Sequence, residues 1–136
     1  MISVNLVSVL VAAAASFIIG FMFHGPLFGK LWMKLANITP TGKEKFSDMV
    51  PQMVKNFLMN VVCAYVLGMF IYGIGNYYHN ISTGMGIAFF AWLGFVVTSS
   101  SMDVIWMGKS KKLWLFEIFS SLVSFLAMGA ILTAWY

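Results

Sequence analysis

The chain has 136 residues, of which 61% are hydrophobic and 9% charged, and its formal net charge is +4. Soluble domains average about 45–50% apolar and about 25% charged residues, so these proportions exclude a water-soluble globule: too little polar surface is present to cover a core. The basic balance does not indicate a nucleic-acid partner, because arginine is absent and the lysines flank segments of bilayer-crossing length.

Residues 4–23 carry no charge and are expected to form a first transmembrane helix, since roughly 20 apolar residues cross a hydrocarbon layer of about 30 Å. Small residues at 12–16 resemble a signal-peptide cleavage site, but no Lys or Arg precedes the stretch, so a retained span is expected. Ser8, Ala12, Ser16, Gly20 and His24 recur every fourth residue. This stripe of small side chains is either a helix-packing surface or a groove ending in His24.

Gly25 and Pro26 then turn the chain. Phe28, Leu31, Trp32 and Leu35 fall at i, i+3, i+4 and i+7, with Lys30 and Lys34 on the opposite side. That spacing predicts an amphipathic helix in the interface plane, with Phe28, Lys30, Leu31, Trp32 and Lys34 in contact with lipid. The interfacial segment is expected over about 27–50. Within it, Thr41, Gly42, Lys43 and Glu44 have capping-box spacing and predict a short surface helix that stops before Pro51.

A second span is predicted over about 53–75, with Pro51 near its first turn. Asn56 and Asn60 lie one turn apart on it, able to pack helices together or to bind a solute. The third span, about 83–107, contains Thr98, Ser99, Ser100 and Ser101 followed by Asp103. Hydroxyls in such a run either bond back to the helix carbonyls and bend it or face a cavity. The fourth span, about 113–135, carries Glu117, Ser121 and Ser124 as a polar stripe.

Every lysine falls between the first and second spans, with Lys55 at the very start of the second, or between the third and fourth, whereas residues 76–82 carry no charge. The positive-inside bias therefore places both lysine loops in the cytoplasm and both termini outside, in what is expected to be a prokaryotic plasma membrane. Trp32, Tyr72, Tyr77, Tyr78, Trp106, Trp114, Trp135 and Tyr136 collect near the predicted boundaries, as headgroup-level aromatics do. Asn37-Ile38-Thr39 and Asn80-Ile81-Ser82 match the glycosylation sequon, a pattern common by chance. His24 and Asp103 each stand five positions before a Gly-Lys pair that Leu-Trp follows, the pattern of a duplicated helix pair. The fold class predicted is an all-α membrane protein: one domain over 1–136, with four transmembrane helices in an antiparallel bundle and an interfacial helix after the first.

Polar side chains inside spans face other helices or a cavity, because lipid offers no hydrogen bonds. With this topology His24, Asn56, Asn60, Asp103 and Glu117, with Ser121 beside them, converge in the cytoplasmic half from four helices. The favoured expectation is a polar site there that binds or moves a small cation, proton or cationic solute. In the competing reading, Asp103 and Glu117 are reached by snorkelling lysines, and the protein is an accessory or structural membrane subunit. A homo-oligomer, first a dimer, is expected because four short helices enclose little volume.

Zinc prefers three or four His, Cys or carboxylate ligands, and His24 is the one plausible His, with His79 in the outer loop, so the sequence specifies no metal. No cofactor is predicted. The single cysteine, Cys63, excludes an intrachain disulfide. No Ser or Cys has an evident base partner and no glycine-rich phosphate loop occurs, so the sequence favours a non-enzymatic role.

The segment from Gly20 to Trp32, G-F-M-F-H-G-P-L-F-G-K-L-W, is similar to the hallmark of a family of small bacterial and archaeal four-helix membrane proteins catalogued as a domain of unknown function. Its most specific part is Pro26 to Trp32. Asn5, the third-span glycines Gly84, Gly86 and Gly94, and residues 108–113 extend the resemblance over most of the chain. Members usually carry Trp-Tyr before the proline segment, where this chain has Phe23-His24. The resemblance implies four helices and supplies neither substrate nor active site.

Overall fold

The structure, a computed structural model, describes residues 4–39, 42, 46–74 and 80–135. The first helix, α1, spans Leu6–Phe23, and Asn5 caps it by accepting hydrogen bonds from the N–H groups of Val7 (3.0 Å) and Ser8 (3.4 Å). The chain then turns through residues 24–28 into α2, Gly29–Ala36. Asn37 ends α2 in the left-handed conformation at φ 56°, and the N–H of Ile38 reaches back to the Met33 carbonyl at 2.9 Å. Asn80 has the opposite task, accepting from the Ser82 N–H at 2.9 Å at the start of the third apolar rod. The asparagine of each sequon is thus a helix terminator or initiator.

The second long helix, α3, covers Phe46–Ile74 without a break at Pro51. This corrects the surface helix predicted to stop before that proline. Pro51 lies early in α3, so its missing N–H removes a single bond near a helix end, and the remaining turns carry the helix through. Asp48 in the first turn is well placed against the positive end of the helix dipole. Of the capping-box residues, Thr41, Lys43 and Glu44 lie outside the described residues, as do His79, Tyr77, Tyr78 and Tyr136.

The third rod begins as α4, Ile81–Ala91, passes through a π-helical turn at Trp92–Val97 and continues as α5, Thr98–Trp106. Directly beyond the wide turn, four hydroxyls bond back to carbonyls of their own helix. Thr98 reaches Gly94 (2.6 Å), Ser99 reaches Phe95, Ser100 reaches Val96 (2.6 Å) and Ser101 reaches Thr98 (2.6 Å). The hydroxyl run therefore serves the backbone where the helix loosens. The last helix, α6, spans Lys111–Ala134 behind an N-cap at Ser110. Four helical stretches, Leu6–Phe23, Ser47–Ile74, Ile81–Trp106 and Lys111–Ala134, are long and apolar enough to cross a membrane.

Helices α1 and α6 pack against one another, α3 flanks α1, and α4 flanks α6. The contacts use small residues. A Cβ on Gly84 would lie 2.9 Å from the Gly129 carbonyl oxygen and closer still to Thr133 Oγ1, so α4 and α6 touch backbone to backbone. Ala12, Ala13, Ala64 and Ala88 are fully buried, while Leu10, Ile18, Leu58, Met59, Phe90 and Phe95 point outward. Large apolar side chains on the outside are stable only against an apolar surrounding.

Packing is tightest at one end. Val9, Leu67, Ile71, Met128 and Leu132 gather there with Tyr72, whose hydroxyl donates to the Leu132 carbonyl at 3.2 Å and lies 3.4 Å from Ser8 Oγ. Tyr72 is therefore a core residue, which corrects its assignment to the aromatic belt. Asn5 Nδ2 donates to the Trp135 carbonyl at 3.2 Å, so the start of α1 meets the end of α6. At the opposite end, where the described lysines lie, α3 and α6 stand apart.

Candidate functional site

The divergence of α3 and α6 over α1 leaves an open cleft of about 630 Å³. From α1 it is lined by Ser16, Phe17, Gly20, Phe21 and His24, so the small-residue stripe divides: Ser8 and Ala12 are packed, and the later members face the cleft. From α3 come Asp48, Gln52, Asn56, Asn60 and Cys63, and from α6 Glu117, Ser120, Ser121, Ser124 and Met128. Spacings of three and four residues keep each set on one helix face.

His24, Asn56, Asn60, Glu117 and Ser121 thus line one space. His24 Nδ1 lies 2.9 Å from the Gly20 carbonyl oxygen, the geometry of a donated N–H bond. Its ring is held edge-on by Trp32 and Phe116 at centroid distances of 5.0 and 5.5 Å. Trp32 is accordingly half-buried against His24, while Phe28, Lys30, Leu31 and Lys34 are exposed. Asn60 joins two helices: Ser16 Oγ donates to its Oδ1 at 2.7 Å, and its Nδ2 donates to the Asn56 carbonyl at 3.0 Å. Ser121 is likewise engaged, donating to the Ile118 carbonyl at 2.9 Å and accepting from the indole N–H of buried Trp92 at 3.0 Å. Glu117 forms an ion pair with Lys109, a different lysine from the neighbouring Lys112.

Asp103 is not among these residues. Its side chain is exposed on α5 and has no hydrogen bond or ion pair among the described residues, although its carbonyl accepts from the N–H groups of Met107 (3.0 Å) and Lys109 (3.2 Å). That backbone bond, with Gly108 at φ 70°, helps to fold Lys109 back toward Glu117. The duplicated-pair pattern therefore sets His24 at the cleft and its counterpart Asp103 away from it.

Four polar lining residues escaped the sequence reading as site members: Asp48, Gln52, Ser120 and Ser124. Asp48, Gln52, Asn56 and Asn60 form an unbroken i+4 series, which would have been visible had α3 been started before Pro51. Ser120 and Ser124 are 5% and 7% exposed, and neither hydroxyl has a hydrogen-bond partner among the described residues. Among the described residues no enclosed side-chain N or O atom lacks a partner, so these two hydroxyls open onto the cleft, where they can bond to whatever occupies it. Among the described residues no three His, Cys, Asp or Glu side chains are grouped to hold a metal ion.

The model of the family described as "Protein of unknown function (DUF1761)" matches residues 7–133. The chain belongs to this family. No curated protein and no solved structure matches it. The DUF1761 match takes in every residue that lines the cleft and all but the first residue of α1, together with nearly all of α6.

Proposed function

We propose that this DUF1761 protein is an integral membrane protein, an antiparallel bundle with α2 at the cytoplasmic interface, that binds a small cationic solute in the cleft between α3 and α6. The observation that carries the reading is the convergence of polar side chains from three helices on one cleft, with the Ser120 and Ser124 hydroxyls open to it and without partners among the described residues. Supporting it are the Asp48 carboxylate, which has no ion pair among the described residues, and the rings of Phe17, Phe21 and Phe125, aromatic groups to which a cation is attracted. A bare ion needs a tight ligand cage, whereas about 630 Å³ lies in the usual range of about 300–1,000 Å³ for organic-ligand sites. The orientation rests on the lysines, and the bundle contacts that support it are those of α1 with the far ends of α3 and α6.

Ethylammonium binding to the purified protein, followed calorimetrically, tests this. A Cβ on Gly20 would meet no atom within 4 Å, so Gly20→Leu fills the cleft from α1 without disturbing the packing. Loss of binding in Gly20→Leu, a weakening of about tenfold in Asp48→Asn, and no change in Asp103→Asn are expected. Equal binding by Gly20→Leu, or dependence on Asp103, overturns the proposal.

The accessory-subunit reading has one observation in its favour: Asn60 and Ser121 already make interhelical hydrogen bonds. It predicts no ethylammonium binding by the wild-type chain.

A further inference from the structure

An apolar crevice adjoins the polar cleft. Cys63 of α3 and Phe125 of α6 line both the cleft and this crevice of about 330 Å³ between α3 and the third rod. Phe70, Ala91 and Phe95 line that crevice and also a further hollow of about 540 Å³ that extends to Ile74 and Thr83. The three spaces share walls in series, polar at the lysine end and apolar beyond Cys63. Along α3 the apolar part runs from Cys63 to Ile74, roughly 16 Å at about 1.5 Å per residue.

Two features suit this crevice to an elongated apolar guest. The π turn at Trp92–Val97 forms part of its wall, with Phe95 facing Phe70 at a centroid distance of 6.2 Å, and π turns recur at functional sites. The rim of the adjoining hollow opens sideways: Ile74 and Phe90 are each 70% exposed, where acyl chains surround a membrane protein. Its width is a single gap between two helices.

Taking the cleft as a cation site, we propose that its ligand is a single-chain cationic amphiphile drawn from the bilayer. The head lies against Asn56, Ser120 and Ser124, and the chain passes Cys63 and runs between Phe70 and Phe95. A molecule with both parts supplies partners to the hydroxyls that open onto the cleft and fills apolar space in which water would be unfavourable.

Dodecylammonium with a diazirine at its chain end, photolysed with the full chain in phosphatidylcholine nanodiscs and mapped by mass spectrometry, tests this. Labels are expected on residues 66–70 and 91–95, and excess ethylammonium should remove them by displacing the head. Gly86 lines the adjoining hollow, and a Cβ there meets nothing within 4 Å. Because lipid is as apolar as the crevice, Gly86→Leu should cut these labels by at least about fivefold while moving dodecylammonium affinity little. Ala91→Leu serves as a second filling variant, and an unchanged melting temperature verifies folding of each.

Labels scattered over the outer helix faces, insensitive to ethylammonium and to both variants, overturn the amphiphile. If ethylammonium still binds in the wild type, the cation reading survives that result. If it does not bind, both fall together.

Discussion

Lys109 and Glu117 set the charge at the mouth of the cleft. Their side chains are 24% and 36% exposed, so water screens the pair and its contribution to stability lies in the surface range of about 0–1 kcal/mol. Its larger consequence is for binding, because Lys109 occupies the carboxylate that a cationic solute would seek. Lys109→Ala is therefore expected to raise ethylammonium affinity by about three- to fivefold, with a stability change below that same range's upper end. Glu117→Gln should lower affinity instead. Calorimetry at low ionic strength measures both, and equal effects of the two variants would mean that the pair acts only as a structural tie.

At the scale of elements, the third rod carries two glycines with opposite surroundings. Gly84 faces the backbone of α6, and an added Cβ has no room beside the Gly129 carbonyl; Gly86, half a turn on, faces open space. Gly84→Ala is expected to destabilise the protein by about 1–3 kcal/mol through overpacking. Gly86→Ala should leave stability unchanged or raise it by up to about 1 kcal/mol from helix propensity. Thermal unfolding in detergent separates them, and similar melting temperatures would contradict the close approach of α4 and α6.

This rod also explains why Asp103 lies apart from the cleft while Glu117 lines it. Sequence spacing gives the depth of a residue and, in a regular helix, its direction. The π turn at Trp92–Val97 places extra chain in one turn and rotates everything after it, so directions extrapolated from the start of the rod fail by Asp103. On α6 no such interruption occurs, and Glu117, Ser121 and Ser124 share the face their spacing indicates. Asp48 and Gln52 are hidden from spacing alone for another reason: proline marks a boundary in sequence, whereas this helix absorbs Pro51. The existence of four apolar rods needed none of this detail, because length and hydropathy alone specify them.

For the whole molecule, tight packing and openness lie at opposite ends. The buried cluster around Tyr72 and Leu132 closes one end, and Asp48, His24 and Glu117 border the cleft at the other, beside the lysines of α2 and of the α6 start. Charge bias should hold that lysine end in the cytoplasm, so a solute would enter the cleft from inside. Single cysteines in a Cys63→Ala background test the orientation with a membrane-impermeant maleimide. Lys112 and Trp135 are exposed at the two ends of α6, so neither substitution disturbs the core. Lys112→Cys should react in inside-out vesicles and Trp135→Cys in right-side-out ones. The reverse pattern would turn the cleft toward the exterior, leaving its chemistry intact but making it a receptor for solutes or amphiphiles of the outer leaflet.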